Sequence, residues 1–160
     1  MYEAACDIAQ NASVGRPHFA KALMAAGLVS SVDQAFKRYL GAGKIGDVKQ
    51  HWPEIGDIVE TIVEAGGIAV LAHPMKYKIT RTKLRALVGD FAECGGKAIE
   101  VVSGLQKPQE IRDIAKIAEN HDLLGSCGSD FHAPNTHWAE LGRSSAMPEY
   151  VPPVWQFWEH

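Results

Sequence analysis

The chain has 160 residues, of which 46% are hydrophobic and 22% are charged, and its formal net charge is −3. These fractions are typical of a globular protein, and a chain of this length buries roughly 70% of its unfolded surface on folding. The net charge excludes a general attraction to nucleic acid or to an anionic membrane, so any phosphate binding requires a local cluster of cations.

The cysteine content argues against a disulfide-stabilised or zinc-knuckle protein. The three cysteines, Cys6, Cys94 and Cys127, are odd in number and lack C-x-x-C spacing. A reducing compartment, the cytoplasm, is therefore the predicted location. No apolar run approaches the roughly 20 residues that span a bilayer, and no signal peptide is evident, so no membrane partner is expected.

The first third of the chain is predicted to be helical. A short helix is expected at 2–10, and apolar residues at helical spacing predict a second over 18–26, after a break at 15–17 and before Gly27. Ser30, with Asp33 three residues later, predicts the start of a third helix by a capping-box arrangement. A glycine-containing loop at 41–46 ends that helix.

From Trp52 onward the pattern changes to alternating strands and helices. Pro53 is the expected first residue of a helix that ends at Gly66-Gly67. The elements that follow are strands 68–72, 97–102 and 123–127, and helices 80–93 and 108–121. This alternation predicts an α/β fold with a parallel sheet. A closed barrel needs about seven or eight strands, so the chain resembles the later part of a barrel, followed by an extended proline-containing tail.

Two of the predicted strands end on residues that ligate metals. Asp130 and His132 follow strand 123–127, and their spacing of two residues lets both point the same way if the chain is extended. His73 ends strand 68–72. Because the carboxyl ends of parallel strands meet at one edge, the three side chains are expected to converge on a divalent cation such as Mn, Fe or Zn. A hydrogen-bonded core histidine is the alternative for His73 taken alone.

For three further groups of charged residues, the sequence allows more than one role. Glu100 lies inside an apolar strand and is a ligand, a partner that orients a histidine, or an inward residue bonded to backbone. Arg16 and His18 flank a helix start, which favours phosphate but also suits a solvated helix end. The basic residues after His73 either neutralise phosphates or are simply solvated; these are Lys76, Lys78 and Arg81.

Several motifs together resemble the PHP (polymerase and histidinol phosphatase) phosphoesterases, and within them the TrpH, or exoribonuclease AM, subgroup. The motifs are Gly15-Arg-Pro-His-Phe-Ala20, Phe36-Lys-Arg-Tyr-Leu40, Gly66-Gly-Ile-Ala-Val-Leu-Ala-His-Pro74, Glu100-Val101, Gly128-Ser-Asp-Phe-His132, Glu140-Leu-Gly-Arg143 and Val154-Trp-Gln-Phe-Trp158. The resemblance implies a distorted seven-stranded β/α barrel with up to three divalent metals, usually Mn. It also implies hydrolysis of 3′,5′-bisphosphonucleotides and trimming of short RNA from its 5′ end.

The resemblance assigns expected roles to five residues. His73, Asp130 and His132 would be metal ligands of the catalytic centre, and Arg16 and His18 would hold a substrate phosphate. Residues 1–50 would form a helical insertion, and 51–160 the C-terminal part of the barrel. The family's opening His-x-His strand is not present, so a C-terminal portion of the protein is expected.

Two other interpretations remain. In the first, the chain is an inactive fragment that associates through an open sheet edge, or that pairs with a chain carrying the missing half. In the second, the helices at 18–26 and 31–40 form a helix-turn-helix-like nucleic-acid-binding module, in which Lys37 and Arg38 are the cations of the second helix.

Overall fold

The computed structural model describes residues 1–47, 53–132, 134 and 139–158. The chain separates into two compact units, Met1–Trp52 and Pro53–His160, each of which is described by itself. We refer to them as the helical unit and the sheet unit. Their assignment as a family insertion and a barrel portion stays a prediction.

The described part of the helical unit contains three α-helices and a π-helix. They are α1 (Tyr2–Ala9), α2 (Arg16–Ala25), α3 (Val32–Ala35) and the π-helix Phe36–Leu40, which continues α3. The helix predictions are confirmed in position, although α2 begins before the predicted start. Pro17 is the reason, because proline is well suited to the first turn, where its missing N–H has no intrahelical partner. A small apolar core holds the unit together: Ala20, Leu23, Val29, Ala35 and Leu40.

The start of α3 differs from the prediction by one residue. Ser31, not Ser30, is the N-cap, and its Oγ accepts a hydrogen bond from the Gln34 backbone N–H at 3.1 Å. The Gln34 side chain in turn accepts from the Ser30 N–H at 2.7 Å. This is a variant of the predicted capping box: Gln34 takes the place that the prediction assigned to Asp33, and its side chain bonds the residue before the N-cap instead of the N-cap itself.

The sheet unit alternates helices with parallel strands. Its elements are α4 (Ile55–Glu64), β1 (Val70–Leu71), a 3₁₀ turn (Pro74–Lys76), α5 (Arg81–Glu93), β2 (Ala98–Ser103), α6 (Pro108–Asn120), β3 (Leu124–Gly128) and a 3₁₀ turn (Val154–Trp158). The strand order is β1-β2-β3, and both pairs are parallel. The predicted α/β fold with a parallel sheet is therefore confirmed, while closure into a barrel stays a prediction.

Two boundary predictions for this unit are wrong. Pro53 does not begin α4; Glu54 is the N-cap, with extended backbone, and the first helical residue is Ile55. The tail is not extended throughout, since it ends in the 3₁₀ turn Val154–Trp158. Just before that turn it runs beside β3, where the Pro152 carbonyl accepts a hydrogen bond from the Gly125 N–H at 2.8 Å.

The core of the sheet unit fixes the middle strand. In β2, Ile99, Val101 and Val102 are all fully buried, so both faces of this strand are covered, as is usual for the centre of a parallel sheet. Helices α5 and α6 supply the packing, through Val88 and Ile114 among others. The carboxyl ends of the strands are thereby held in a fixed relation to one another.

Among the residues that the structure describes, no helix is long and apolar enough to cross a membrane. The three cysteines, whose number and spacing suggested a reducing compartment, are unpaired thiols. The cytoplasmic location stays a prediction.

Candidate metal centre and phosphate site

The carboxyl ends of the three strands meet at one edge of the sheet. Leu71 in β1 pairs with Ile99 in β2, which pairs with Gly125 in β3, so the strands leave the sheet side by side. His73 lies two residues beyond the end of β1, and Asp130 lies two residues beyond the end of β3. The topology thus brings two predicted ligands to the same edge.

The backbone of His73 adopts an unusual conformation that Glu100 supports. His73 has φ 32° and ψ 53°, in the left-handed region that non-glycine residues seldom adopt. Its N–H donates to Glu100 Oε2 at 2.6 Å. Gly128 leaves room for this carboxylate, because a Cβ at that position would lie 3.1 Å from Glu100 Oε1. Of the three roles considered for Glu100, the structure shows the bond to backbone.

The imidazole of His73 packs against Tyr77 and keeps one nitrogen unpartnered. The two rings meet edge to face, with centroids 5.9 Å apart, and the Tyr77 hydroxyl donates to the Ala72 carbonyl at 2.8 Å. Burial, and secondarily the charge of Glu100, raises the pKa of Tyr77 above its usual 10.0, so the hydroxyl remains a donor at neutral pH. His73 Nδ1 is buried and has no hydrogen-bond partner among the described residues. A satisfied core histidine would have one.

Asp130 is held as a carboxylate by the loop that follows His73. Its oxygen Oδ2 accepts a hydrogen bond from the Lys76 ammonium. That hydrogen bond is the main reason why the pKa of Asp130 lies below its usual 3.8, and the charges of Lys76, His132 and His73 lower it further against partial burial. No local pattern predicts this pair, because its members are 54 positions apart in the chain.

His132 lies beside Asp130, but not by the predicted route. The strand ends at Gly128 and Asp130 has φ 54°, so the chain turns here instead of remaining extended. His132 Nδ1 is 2.8 Å from the Asp130 carbonyl oxygen and 3.7 Å from Asp130 Oδ1. A carbonyl can only accept, so Nδ1 carries the proton and the lone pair of Nε2 is available to a ligand. The side chain is 82% exposed.

The chemistry of these donors suits a divalent cation. An unpartnered imidazole nitrogen on His73, an ionised Asp130 and a free Nε2 on His132 form a borderline donor set that suits Mn, Fe or Zn. Within residues 1–47, 53–132, 134 and 139–158, however, no three His, Cys, Asp or Glu side chains are arranged around one point as a ligand set. Convergence of the three predicted ligands on one cation therefore stays a prediction.

Replacing Lys76 with Met is expected to raise the pKa of Asp130 back toward 3.8, because the Lys76 hydrogen bond is the main cause of the shift. A lowered folded-state pKa stabilises the fold above the unfolded-state value, and this stability is lost as the pH falls through the folded-state value. The variant should lose part of that acid-dependent stability. An NMR titration of the side-chain carboxyl carbon measures the pKa, and Lys78→Met is the control, since Lys78 makes no ion pair with a described residue. An unchanged pKa in Lys76→Met would contradict the assignment.

The helical unit presents two donors at the start of α2. His18 Nδ1 accepts a hydrogen bond from the Gly15 N–H at 3.0 Å, so the ring proton must be on Nε2, where it can be donated outward. Arg16 is exposed, and its guanidinium pairs with no acid in the described part of the chain. Arg16 and the Nε2–H of His18 thus have no partner among the described residues, while His18 Nδ1 is used to cap the start of α2.

Comparison with known proteins gives relatives that are about twice as long as this chain. No family model matches the chain. It is 44% identical over 157 residues to the 5′-3′ exoribonuclease Rnm of Escherichia coli K12, covering 98% of this chain and 53% of that protein. It is 39% identical over 143 residues to a 3′,5′-nucleoside bisphosphate phosphatase of Chromobacterium violaceum, and the match covers 89% of this chain and 50% of that protein. The chain spans about half the length of the curated relatives it matches.

Two solved structures share the fold. An amidohydrolase from Chromobacterium violaceum, with bound sulfate, has a TM-score of 0.83 and 36% identity, over 99% of this chain and 55% of that one. A protein from Bifidobacterium adolescentis, provisionally described as a metal-dependent phosphoesterase, has a TM-score of 0.64 and 23% identity, again over 99% of this chain and 55% of that one. At this level of identity the similarity shows a shared fold only. The two curated relatives are thus named for activities on RNA and on a nucleoside bisphosphate.

Proposed function

We propose that this chain is part of a metal-dependent phosphoesterase of the PHP type. Its substrates would be nucleotide phosphate esters: 3′,5′-bisphosphonucleotides and the 5′ ends of short RNA. The observation that carries this proposal is the arrangement at the carboxyl edge of the sheet, where a buried imidazole nitrogen of His73 lacks a partner beside an ionised Asp130. The exoribonuclease and phosphatase names of the relatives support the substrate class.

In this proposal His73, Asp130 and His132 hold a divalent cation, with Mn²⁺ as the first ion to test. Such a cation would make a nucleophilic water available near neutral pH and would neutralise charge on the phosphoryl oxygens. Glu100 fixes the backbone of His73, and the Asp130 carbonyl fixes the tautomer of His132. The contact to Asp130 orients the His132 ring, and the Glu100 contact holds the main chain from which the His73 ring projects; both reduce the entropic cost of binding a ligand.

Arg16 and His18 are proposed to bind a phosphate of the substrate. A guanidinium forms two parallel hydrogen bonds to phosphate oxygens, and the Nε2–H of His18 adds a third donor. Neither group needs to release another partner first, because the His18 bond to Gly15 uses the opposite ring nitrogen. They would therefore contribute binding and orientation, and no proton transfer is required of them.

The proposed function is tested with the purified 160-residue chain. Mn²⁺ is added, bound metal is measured after gel filtration, and the release of inorganic phosphate from a 3′,5′-bisphosphonucleotide is followed. We expect retained Mn²⁺ and phosphate release that chelation abolishes. Absence of both would reject the proposal for this chain and would favour the inactive-fragment interpretation.

Replacing Arg16 with Ala is expected to raise the Michaelis constant for a 3′,5′-bisphosphonucleotide by about 10–100-fold, with a smaller change in kcat. The reason is that a bidentate charged hydrogen bond to phosphate contributes about 1.5–3 kcal/mol of binding. Steady-state kinetics measure both constants. Arg38→Ala in the same unit is the control, since the Arg38 guanidinium carbon lies over the Tyr39 ring, 5.2 Å from its centre, and is therefore already in contact with a side chain of the fold. If Arg16→Ala left the Michaelis constant unchanged, its assigned role would be wrong.

The structure gives little support to the helix-turn-helix alternative. Its second helix would have to lie in the major groove as a regular α-helix. Here that helix is four α-helical residues, Val32–Ala35, followed by the π-helix Phe36–Leu40. An affinity for duplex DNA that falls with salt would be needed to revive this interpretation.

A further inference from the structure

Positive charge is concentrated in the segment that follows His73. The ten residues from 76 to 85 contain five of the chain's 16 Lys and Arg residues, and no Asp or Glu occurs anywhere from 65 to 89. The chain as a whole has a net charge of −3, so this segment is a local exception. We name these five cations the basic strip: Lys76, Lys78, Arg81, Lys83 and Arg85.

Every member of the basic strip is exposed to solvent. Two members pair with acids of the same unit: Lys76 with Asp130, and Arg81 with Asp113 at 2.5 Å. The other three make no ion pair with a described residue: Lys78, Lys83 and Arg85. These three charges are therefore uncompensated within the described part of the chain and available to an external anion.

The strip leads away from the candidate metal centre along α5. It begins at Lys76, in contact with Asp130, and continues into the first turns of the helix, where Thr80 caps the Lys83 N–H. Arg81 and Arg85 are one turn apart on one flank of α5, or about 6 Å along the helix axis, while Lys83, two residues from each, lies on the opposite flank. Arg81 and Arg85 both line a cavity of about 80 Å³ on their flank of the helix. The exposed cations thus extend from the loop that contacts Asp130 into the first two turns of α5.

We infer that the basic strip binds the sugar–phosphate backbone of a single-stranded RNA whose 5′ end lies at the candidate metal centre. This inference rests on the proposed function. A mononucleotide carries its phosphates at the centre only, so the outer cations have an anion to bind only when the strand continues. Rows of exposed cations that track the backbone are how proteins hold single strands without reading sequence.

The test compares a charge-removing and a charge-retaining triple variant of the 160-residue chain. The first combines Lys78→Gln, Lys83→Gln and Arg85→Gln, and the second combines Lys78→Arg, Lys83→Arg and Arg85→Lys. Fluorescence anisotropy measures the affinity for a short, 5′-phosphorylated, single-stranded RNA at several salt concentrations. Lys97→Gln is a further control, since Lys97 is exposed at the opposite end of β2.

Removing the three charges is expected to weaken binding at low salt by about tenfold or more. The slope of log affinity against log salt should become less steep by about 2, since each phosphate contact on a single strand contributes about 0.7. The charge-retaining triple and Lys97→Gln should keep the original slope. An unchanged slope in the charge-removing triple, or no RNA binding by the unchanged chain, would overturn the inference.

Failure of the proposed function would be recognised separately. Phosphate release from a 3′,5′-bisphosphonucleotide by the unchanged chain reports on the metal centre and does not depend on the outer cations. If that release were absent while the salt slope behaved as expected, the proposed function would fail and the RNA-binding surface would remain. If release were present and the slope unaffected, only the inference about the basic strip would fail.

Discussion

Replacing Asp130 with Asn is expected to lower the affinity of the chain for Mn²⁺ by about a hundredfold or more. Losing a residue that only supports a metal ligand already lowers metal affinity by about 10–100-fold, and Asn at position 130 would replace the proposed charged ligand itself. The fold should survive, because Asn tolerates the left-handed backbone that Asp130 adopts at φ 54°. Calorimetric titration with Mn²⁺ measures the affinity, and circular dichroism verifies the fold.

The chain contains a closely matched control for this substitution. Asp122 also has a left-handed backbone, with φ 52°, and it lies just before β3, whereas Asp130 lies just after it. Asp122→Asn therefore makes the same chemical change at the other end of the same strand and should leave Mn²⁺ affinity unchanged. If the two variants bound Mn²⁺ equally well, Asp130 would not be a ligand.

Replacing Glu100 with Ala is expected to lower the free energy of unfolding by about 1–3 kcal/mol, because the partly buried N–H of His73 would lose its acceptor. The left-handed conformation of His73 would also lose its support, so the imidazole would lose the orientation on which the proposed cation site depends. Mn²⁺ affinity should consequently fall by about tenfold or more. Urea denaturation measures the first effect and calorimetric titration the second.

Glu100→Gln separates the hydrogen bond from the charge. The amide of Gln keeps an oxygen at the same distance along the side chain, so it can still accept from the His73 N–H. Most of the stability lost in Glu100→Ala should therefore be recovered. Equal losses in the two variants would mean that the negative charge, and not the hydrogen bond, supports the turn at His73.

The sequence predicted the parallel sheet because local patterns were sufficient. Apolar runs such as the one around Ile99 and Val101 identify a strand that is buried on both faces, and the helices between strands leave only a parallel arrangement. The positions of His73 and Asp130 at one edge follow from that topology. The fold class, and the edge of the sheet at which the candidate site lies, can therefore be predicted from residue patterns.

The finer geometry was not accessible, because it depends on contacts between distant residues. The left-handed backbone at His73 is supported by Glu100, which is 27 positions away, and Asp130 is engaged by Lys76, which is 54 positions away. The roles of Lys76 and Tyr77 were missed for this reason, since their closeness to His73 in sequence was the only signal. At α3 the error was local, because Ser30 and Ser31 are equally good caps by composition.

The tail beside β3 determines on which side this sheet can grow. It adds one parallel bridge, between Gly125 and Pro153, and covers Gly125 so closely that a Cβ there would lie 2.7 Å from both Met147 Sδ and Val151 Cγ1. Pro152 and Pro153 have no amide hydrogen to donate to a further strand, so the tail blocks the edge of the sheet on the β3 side. β1 is the other edge of the described sheet, and Val70 there is 38% exposed, so a further strand, from another copy or from a complementing polypeptide, would be expected to pair on the β1 flank.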